Sequence, residues 1–160
     1  MRWFQWWTQE PTAEAVEWRV RRALMGEPRL RDFEAPRIRI SASGDGAIAL
    51  AGAVSTRQAR ELAELVARKV EGVVTVRDDV RTDAELTTQL RSRLAADART
   101  RRLTKDSVVF QGTAELRGTA TYDAQLVARN MAEAIDGVRG VVNYMQLATS
   151  AGASDKPRAA

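Results

Sequence analysis

The chain has 160 residues, 44% of them hydrophobic and 29% charged, which suits a globular protein with two small cores rather than one large core. It contains no histidine and no cysteine, which excludes Cys/His zinc sites, Ser-His-Asp triads, Cys–His pairs and disulfides. The formal net charge of +4 favours anionic partners only weakly, because acidic residues are interspersed with basic ones.

Residues 1–11 are rich in aromatic side chains, four of which lie within the first seven positions: Trp3, Phe4, Trp6 and Trp7. No apolar run of about 20 residues follows, so the segment does not predict a membrane-spanning helix. It also lacks the apolar core and cleavage site of a secretory signal. Because tryptophan favours the boundary between water and lipid, we expect this segment to anchor at a membrane or dock on another protein. The alternative is that its rings fold back over an apolar groove of the first domain.

A helix is predicted next, with Thr12 as its N-cap and its end near Met25. Its buried stripe consists of apolar residues at helical spacing: Ala13, Val16, Val20 and Leu24. Trp18, Arg22 and Met25 recur at spacings of four and three and lie on the opposite face. Two interpretations of that face are open, a contact surface for a partner or membrane and burial against a second domain.

Residues 30–80 change from strand to helix periodicity and back. Ile48 and Leu50 alternate with small residues, as in a strand with one buried face, and Gly44–Gly46 before them suits a tight hairpin turn. Gly72 is predicted to cap the helix that follows. The predicted segments are a loop over 30–36, strands at 38–40 and 47–54, a helix over 55–70 and a strand over 73–80.

This pattern occurs twice in the chain. Five strand positions recur 66 residues later: Gly46, Ile48, Leu50, Gly52 and Val54 align with Gly112, Ala114, Leu116, Gly118 and Ala120. The helix and the Gly-Val segment after it recur 65 residues later, with Gly72, Val73 and Val76 matching Gly137, Val138 and Val141. One residue is therefore missing from the second copy, near the start of its helix. A repeat of this length predicts a duplicated small domain rather than a solenoid unit.

A short join at residues 81–83 leads into the second copy. Thr82 and Glu85 have the spacing of a capping box, and three leucines repeat the stripe of the first helix: Leu86, Leu90 and Leu94. The join is too short for independent tumbling, so we expect the domains to pack together. A strand is predicted near residues 107–111 and the last strand ends near Leu147. Residues 149–160 are small and polar and predict a disordered tail.

The sequence Gly-x-(apolar)-x-Leu-x-Gly-x-(apolar) at residues 46–54, followed by a helix and Gly72-Val73-Val74-Thr75-Val76, resembles the BON domain family. The resemblance covers residues 12–148, and the second copy departs from the pattern with alanine at positions 114 and 120. It implies an α+β fold of two tandem α-β-β-α-β domains, each a small mixed three-stranded sheet packed on two helices. The expected boundaries are residues 12–81 and 82–148. Double-BON proteins of bacterial envelopes are similar to this chain, and such proteins bind anionic phospholipid through their second domain.

The most basic local stretch, residues 97–106, lies in that second domain and contains Arg99, Arg101, Arg102 and Lys105. Arginines there can bind lipid phosphates through paired hydrogen bonds, and the alternative is an ordinary solvated surface. No pair of carboxylates lies in an apolar context that would suit acid–base catalysis. We therefore expect no enzyme activity, no cofactor, no metal, no small-molecule substrate and no nucleic acid partner.

The leading functional hypothesis is a non-catalytic membrane-surface module. It would contact anionic phospholipid through the aromatic N-terminus and the basic loop. The alternative is an accessory or scaffolding subunit docked on an integral membrane-protein complex through the N-terminus and the Trp18/Met25 face. A native Met1 predicts a peripheral protein on the cytoplasmic side of the membrane, whereas a removed signal would place it in the periplasm.

Overall fold

The computed structural model describes residues 12–148, which form two units with the same element order. The first contains α1 (Ala13–Gly26), β1 (Ile38–Ala42), β2 (Ala47–Val54), α2 (Arg57–Arg68) and β3 (Thr75–Thr82). The second contains α3 (Asp83–Ala96), β4 (Val108–Phe110), β5 (Thr113–Ala120), α4 (Tyr122–Glu133) and β6 (Gly140–Leu147). Short 3-10 turns, Ala35–Arg37 and Arg101–Leu103, precede β1 and β4. The predicted α+β class and α-β-β-α-β order are confirmed. Residues 1–11 and 149–160, the predicted aromatic segment and tail, lie outside the described residues.

Each unit has a three-stranded mixed sheet with its middle strand paired on both sides. The orders are β1-β2-β3 and β4-β5-β6, antiparallel in the first pairing and parallel in the second. Parallel pairing requires a crossover, which α2 and α4 provide. Gly52 in β2 has φ of +126°, and a Cβ there would clash with the carbonyl oxygen of Arg37, so glycine is required.

The duplication extends through the whole of each unit. The ends of α2 and β3 differ from those of α4 and β6 by 65 residues, and β2 differs from β5 by 66. The extra residue is Ser55, because Thr56 and Thr121 are the N-caps of the two aligned helices. The predicted deletion near the start of the second helix is therefore confirmed. Helices α1 and α3 align at an offset of 70 residues.

Apolar helix and strand faces form one core in each unit. Val16, Val20 and Leu24 of α1 are buried, as predicted, and Leu86, Leu90 and Leu94 of α3 fill the same places in the second core. The central strands contribute the residues that alternate on their helical side: Ile48 and Leu50 in β2, and Ala114 and Leu116 in β5.

The predicted boundaries of the first unit need three corrections. Helix α2 ends at Arg68 and its C-cap is Lys69, so the predicted helix over 55–70 is too long and Gly72 is not its cap. Gly72 instead takes a positive φ of +92° in the turn that follows. Strand β3 begins at Thr75 rather than residue 73, because Val73 still packs on the core while Val74 is 74% exposed. The predicted loop over 30–36 contains a fully buried Leu30 and part of a 3-10 turn.

The two units are in direct contact. Thr82 is both the last residue of β3 and the N-cap of α3, and the predicted capping box with Glu85 is present. Ala53 alternates onto the face of the first sheet that its own helices leave open, yet it is fully buried and belongs to the second core. The expectation that the domains pack together is thus confirmed.

Candidate interaction surfaces

The outward face of α1 carries the exposed Trp18 and Met25. Trp18 is 59% exposed and Met25 is 41% exposed, so Trp18 is not buried against the second unit. Arg22 lies one turn after Trp18, with its guanidinium carbon 5.3 Å from the centre of the indole ring. This cation–π contact holds an aromatic plane and a positive charge together on the surface.

The duplicated helix shows that this face is not needed for folding. The α3 positions aligned with Trp18, Arg22 and Met25 are polar or small: Thr88, Ser92 and Ala95. The buried stripes of the two helices are both apolar. The exposed indole of α1 therefore has no counterpart in a domain with the same backbone. The other predicted contact residues, Trp3, Phe4, Trp6 and Trp7, lie outside the described residues.

The basic stretch of the second unit separates into paired and unpaired charges. Arg99 donates to both carboxylate oxygens of Asp97, at 3.1 Å from Nε and 2.7 Å from Nη2, and to Asp123 at 3.2 Å. The hydrogen bonds from the Arg99 side chain and backbone lower the pKa of Asp97 to about 2. Arg101, Arg102 and Lys105 are exposed, and none of the three pairs with a carboxylate of residues 12–148.

A charged cleft of about 590 Å³ lies where the first unit meets the start of α3. Arg60 bridges its walls, with Nε 2.7 Å from Asp78 and Nη1 3.3 Å from Glu85. The other carboxylates of the cleft, Glu61 and Glu64, pair with arginines of their own helix. Because each carboxylate already has a cationic partner, the arrangement joins the units and presents no free acid or base.

The second unit has a neutral, partly apolar border along β6 and α4, which the sequence analysis did not identify. Its exposed large side chains are Tyr122, Leu126, Val142, Tyr144 and Leu147. The first unit has charged residues at the aligned positions of the helix, where Arg57 and Glu61 form an ion pair at 2.9 Å. Aligning the two copies position by position for charge would have revealed this contrast.

The described part of the chain contains no other feature of a membrane span or a metal centre. None of the four helices between residues 12 and 148 is long and apolar enough to cross a bilayer. Over the same range, no three or more Asp or Glu side chains are grouped so that they could hold a metal ion.

Comparison with known structures relates this fold to a secretion-system component. CdsD, a structural protein of the Type III secretion system of Chlamydia trachomatis, matches with a TM-score of 0.63 and 18% identity. The match covers 84% of this chain and 63% of that one, so the chain spans less than two thirds of its relative. The C-terminal domain of the same protein matches with a TM-score of 0.60 and 18% identity, covering 85% of this chain and 67% of that one. At this identity the similarity shows the fold alone.

Comparison with sequence families gives a direct assignment. No curated protein matches the chain. The model of the BON domain matches twice, over residues 12–84 and 82–149, which together span both structural units. The predicted family is confirmed: the chain belongs to the BON domain family and carries two tandem copies of that domain.

Proposed function

We propose that this protein is a non-catalytic scaffolding module that docks on an integral membrane-protein complex through the outward face of α1. The observation that carries the proposal is the exposed Trp18 on a helix whose duplicate has Thr88 in its place. A related fold occurs in CdsD, a structural protein of a secretion system, which supports a scaffolding role over catalysis.

The chemistry of this face suits a protein partner. Tryptophan and arginine are enriched among the few residues that dominate binding energy at protein interfaces, where truncation of one such residue costs about 2 kcal/mol or more. Trp18 and Arg22 already form a preorganised pair, so little side-chain entropy would be lost when a partner covers them. Met25 adds a flexible apolar contact one turn further along the helix.

The aromatic segment at residues 1–11 extends the same proposal. It precedes α1 directly, since Thr12 is the N-cap of that helix. We propose that Trp3, Phe4, Trp6 and Trp7 bind the same complex, or the membrane interface beside it, and so add area to the α1 contact. The domains, proposed as residues 12–81 and 82–148, then hold the rest of the chain at a fixed orientation.

Anionic lipid is a second candidate ligand, favoured by one observation. Arg101, Arg102 and Lys105 are exposed on and just after a 3-10 turn, with no carboxylate partner among residues 12–148. Arg99 is a weaker candidate than its neighbours, because two carboxylates already occupy its guanidinium. Lipid binding of this kind would require anionic vesicles and would weaken as salt rises.

The deciding experiment isolates the tagged full chain from the membranes of its own organism in mild detergent. The wild type is compared with Trp18→Thr, which copies the second domain, and with Leu65→Thr, which removes an exposed apolar residue from α2. We expect one integral membrane complex at fixed stoichiometry, lost with Trp18→Thr and retained with Leu65→Thr. Equal retention by both variants would contradict docking through α1. If the chain leaves the membrane alone and rebinds anionic vesicles, and the triple change of Arg101, Arg102 and Lys105 to Gln abolishes rebinding, lipid is the ligand.

A further inference from the structure

The two edge strands of the molecule, β3 and β6, occupy equivalent places but differ completely in charge. Each is the outer strand of its sheet, and they align residue by residue at an offset of 65. Strand β3 contains four charged residues: Arg77, Asp78, Asp79 and Arg81. Strand β6 reads Gly-Val-Val-Asn-Tyr-Met-Gln-Leu and contains none. An unpaired edge is a template for another strand, and charged side chains are a common means of blocking it.

The charges of β3 specifically oppose pairing with a second copy of itself. In an antiparallel pair centred on residue 79, Arg77 would lie opposite Arg81 of the other copy, and Asp79 opposite Asp79. The same register in β6 is centred on residue 144. It places Val142 opposite Gln146 and Tyr144 opposite Tyr144, so no like charges meet.

The backbone of β6 can accept such a partner. The Met145 N–H donates to the side-chain oxygen of Asn143 at 2.8 Å, so this amide points away from β5 toward the free edge. In β3 the aligned Val80 N–H donates to Asp78 at 3.0 Å. The second oxygen of Asp78 is held by Arg60, whereas Asn143 bonds only to the neutral Gln125, at 3.2 Å. The cap on the β6 edge is therefore a neutral amide that an incoming carbonyl can replace.

The helix beside β6 has lost the same charges. Gln125 of α4 faces β6 through its bond to Asn143, and Tyr122 lies one turn before it on the same side of the helix. The aligned residues of α2 are Arg60 and Arg57, both cationic. Two copies of the second domain can thus approach along this edge without bringing a row of cations together.

We propose that β6 pairs antiparallel with β6 of a second copy of this chain, about a twofold axis at Tyr144, to form one continuous six-stranded sheet. This pairing satisfies the outward backbone groups of both edges and places the exposed aromatic rings of the two copies side by side on the open face of the sheet. The proposal is independent of the α1 contact, because α1 belongs to the other domain.

The first test restores the charges of β3 to β6 with the triple variant Val142→Arg, Tyr144→Asp and Gln146→Arg. Sedimentation of the full chain over a concentration series is expected to show a dimer for the wild type and a monomer for the variant. Phe110→Ser is the matched control, because it removes an exposed aromatic residue from the opposite edge strand and should leave the dimer intact. Trp18→Thr should also remain dimeric, which separates this result from the proposed docking. A wild type that is monomeric throughout would overturn the proposal.

The second test uses the absence of cysteine from the sequence. In the proposed register the two Tyr144 Cα atoms form a non-hydrogen-bonded pair about 4.5 Å apart, which lies within the range that a disulfide spans. Tyr144→Cys should therefore form a disulfide-linked dimer under mild oxidation, while Asp79→Cys at the aligned position of β3 should not. Equal cross-linking of the two variants, or none with Tyr144→Cys, would refute the pairing even if the triple variant failed to fold.

Discussion

The carboxylate of Asp83 holds the backbone of Gly112, with Oδ1 2.9 Å from the Gly112 nitrogen, and its other oxygen accepts the Gln111 N–H at 2.6 Å. Asp83 is the first residue of α3, and residues 111–112 form the turn of the β4–β5 hairpin. Gln111 takes a φ of +51°, a conformation that side-chain-bearing residues rarely adopt. One carboxylate therefore fixes the start of a helix and the strained turn of a hairpin.

Replacing Asp83 with alanine should destabilise the second domain by about 1–3 kcal/mol, because two backbone N–H groups lose their acceptor. Denaturant unfolding followed by circular dichroism measures the change. The control is Asp45→Ala in the hairpin turn of the first domain, where the carboxylate bonds Ser43 and Ala47 on an exposed surface. We expect a change there of less than about 1 kcal/mol. Equal effects would show that the Asp83 contact has no special weight.

Ala53→Asp should uncouple the two domains. Ala53 is fully buried in the core of the second domain, so an aspartate there would place an unpaired charge among apolar groups. We expect a loss of at least about 2 kcal/mol, with separate unfolding transitions for the two domains. Ala49→Asp is the matched control, since Ala49 lies on the same face of β2 but is only half-buried, and a change within about 0.5 kcal/mol is expected. A single unaltered transition for Ala53→Asp would contradict the packing.

The pair Arg60–Asp78 can be converted into its counterpart from the second domain. Arg60→Gln alone leaves the Asp78 carboxylate, which is mostly buried, without its cation and should cost about 1–3 kcal/mol. The double variant Arg60→Gln with Asp78→Asn copies the Gln125–Asn143 pair and should recover most of that loss. Unfolding at low and high salt measures both. A double variant no more stable than Arg60→Gln would show that the two residues do not act as a pair.

The contact of Arg99 with Asp97 predicts an unusual titration. Hydrogen bonds from Arg99 lower the pKa of Asp97 from 3.8 to about 2, so this contact adds stability above the unfolded pKa and loses it as pH falls through the folded value. The carboxyl carbon resonance of Asp97 should titrate near pH 2 in the wild type and closer to 3.8 in Arg99→Gln. Arg101→Gln, which removes only a more distant charge, should leave the titration nearly unchanged. Identical titration in all three proteins would refute the assignment.

The duplicated architecture could be predicted from the sequence because glycines and apolar positions directly encode turns and buried faces. Gly52 and Gly118 marked the same strand position, and even the missing residue was placed correctly, near Ser55. The burial of Ala53 could not be predicted, because strand alternation alone places it on the open side of its sheet. The pairing of Arg99 was equally inaccessible, since Asp123 is 24 residues away and is brought close only by the fold.

The shared residue between β3 and α3 makes the junction intolerant of length changes. Thr82 ends the strand and caps the helix, so no free residue lies between the two domains. A single inserted residue would rotate α3 by about 100° about its axis and turn Leu86, Leu90 and Leu94 away from their core. The angle between the domains is therefore written into the residue count of the chain. Insertions in the loop over residues 97–106 should be accommodated far better than any at residues 81–83.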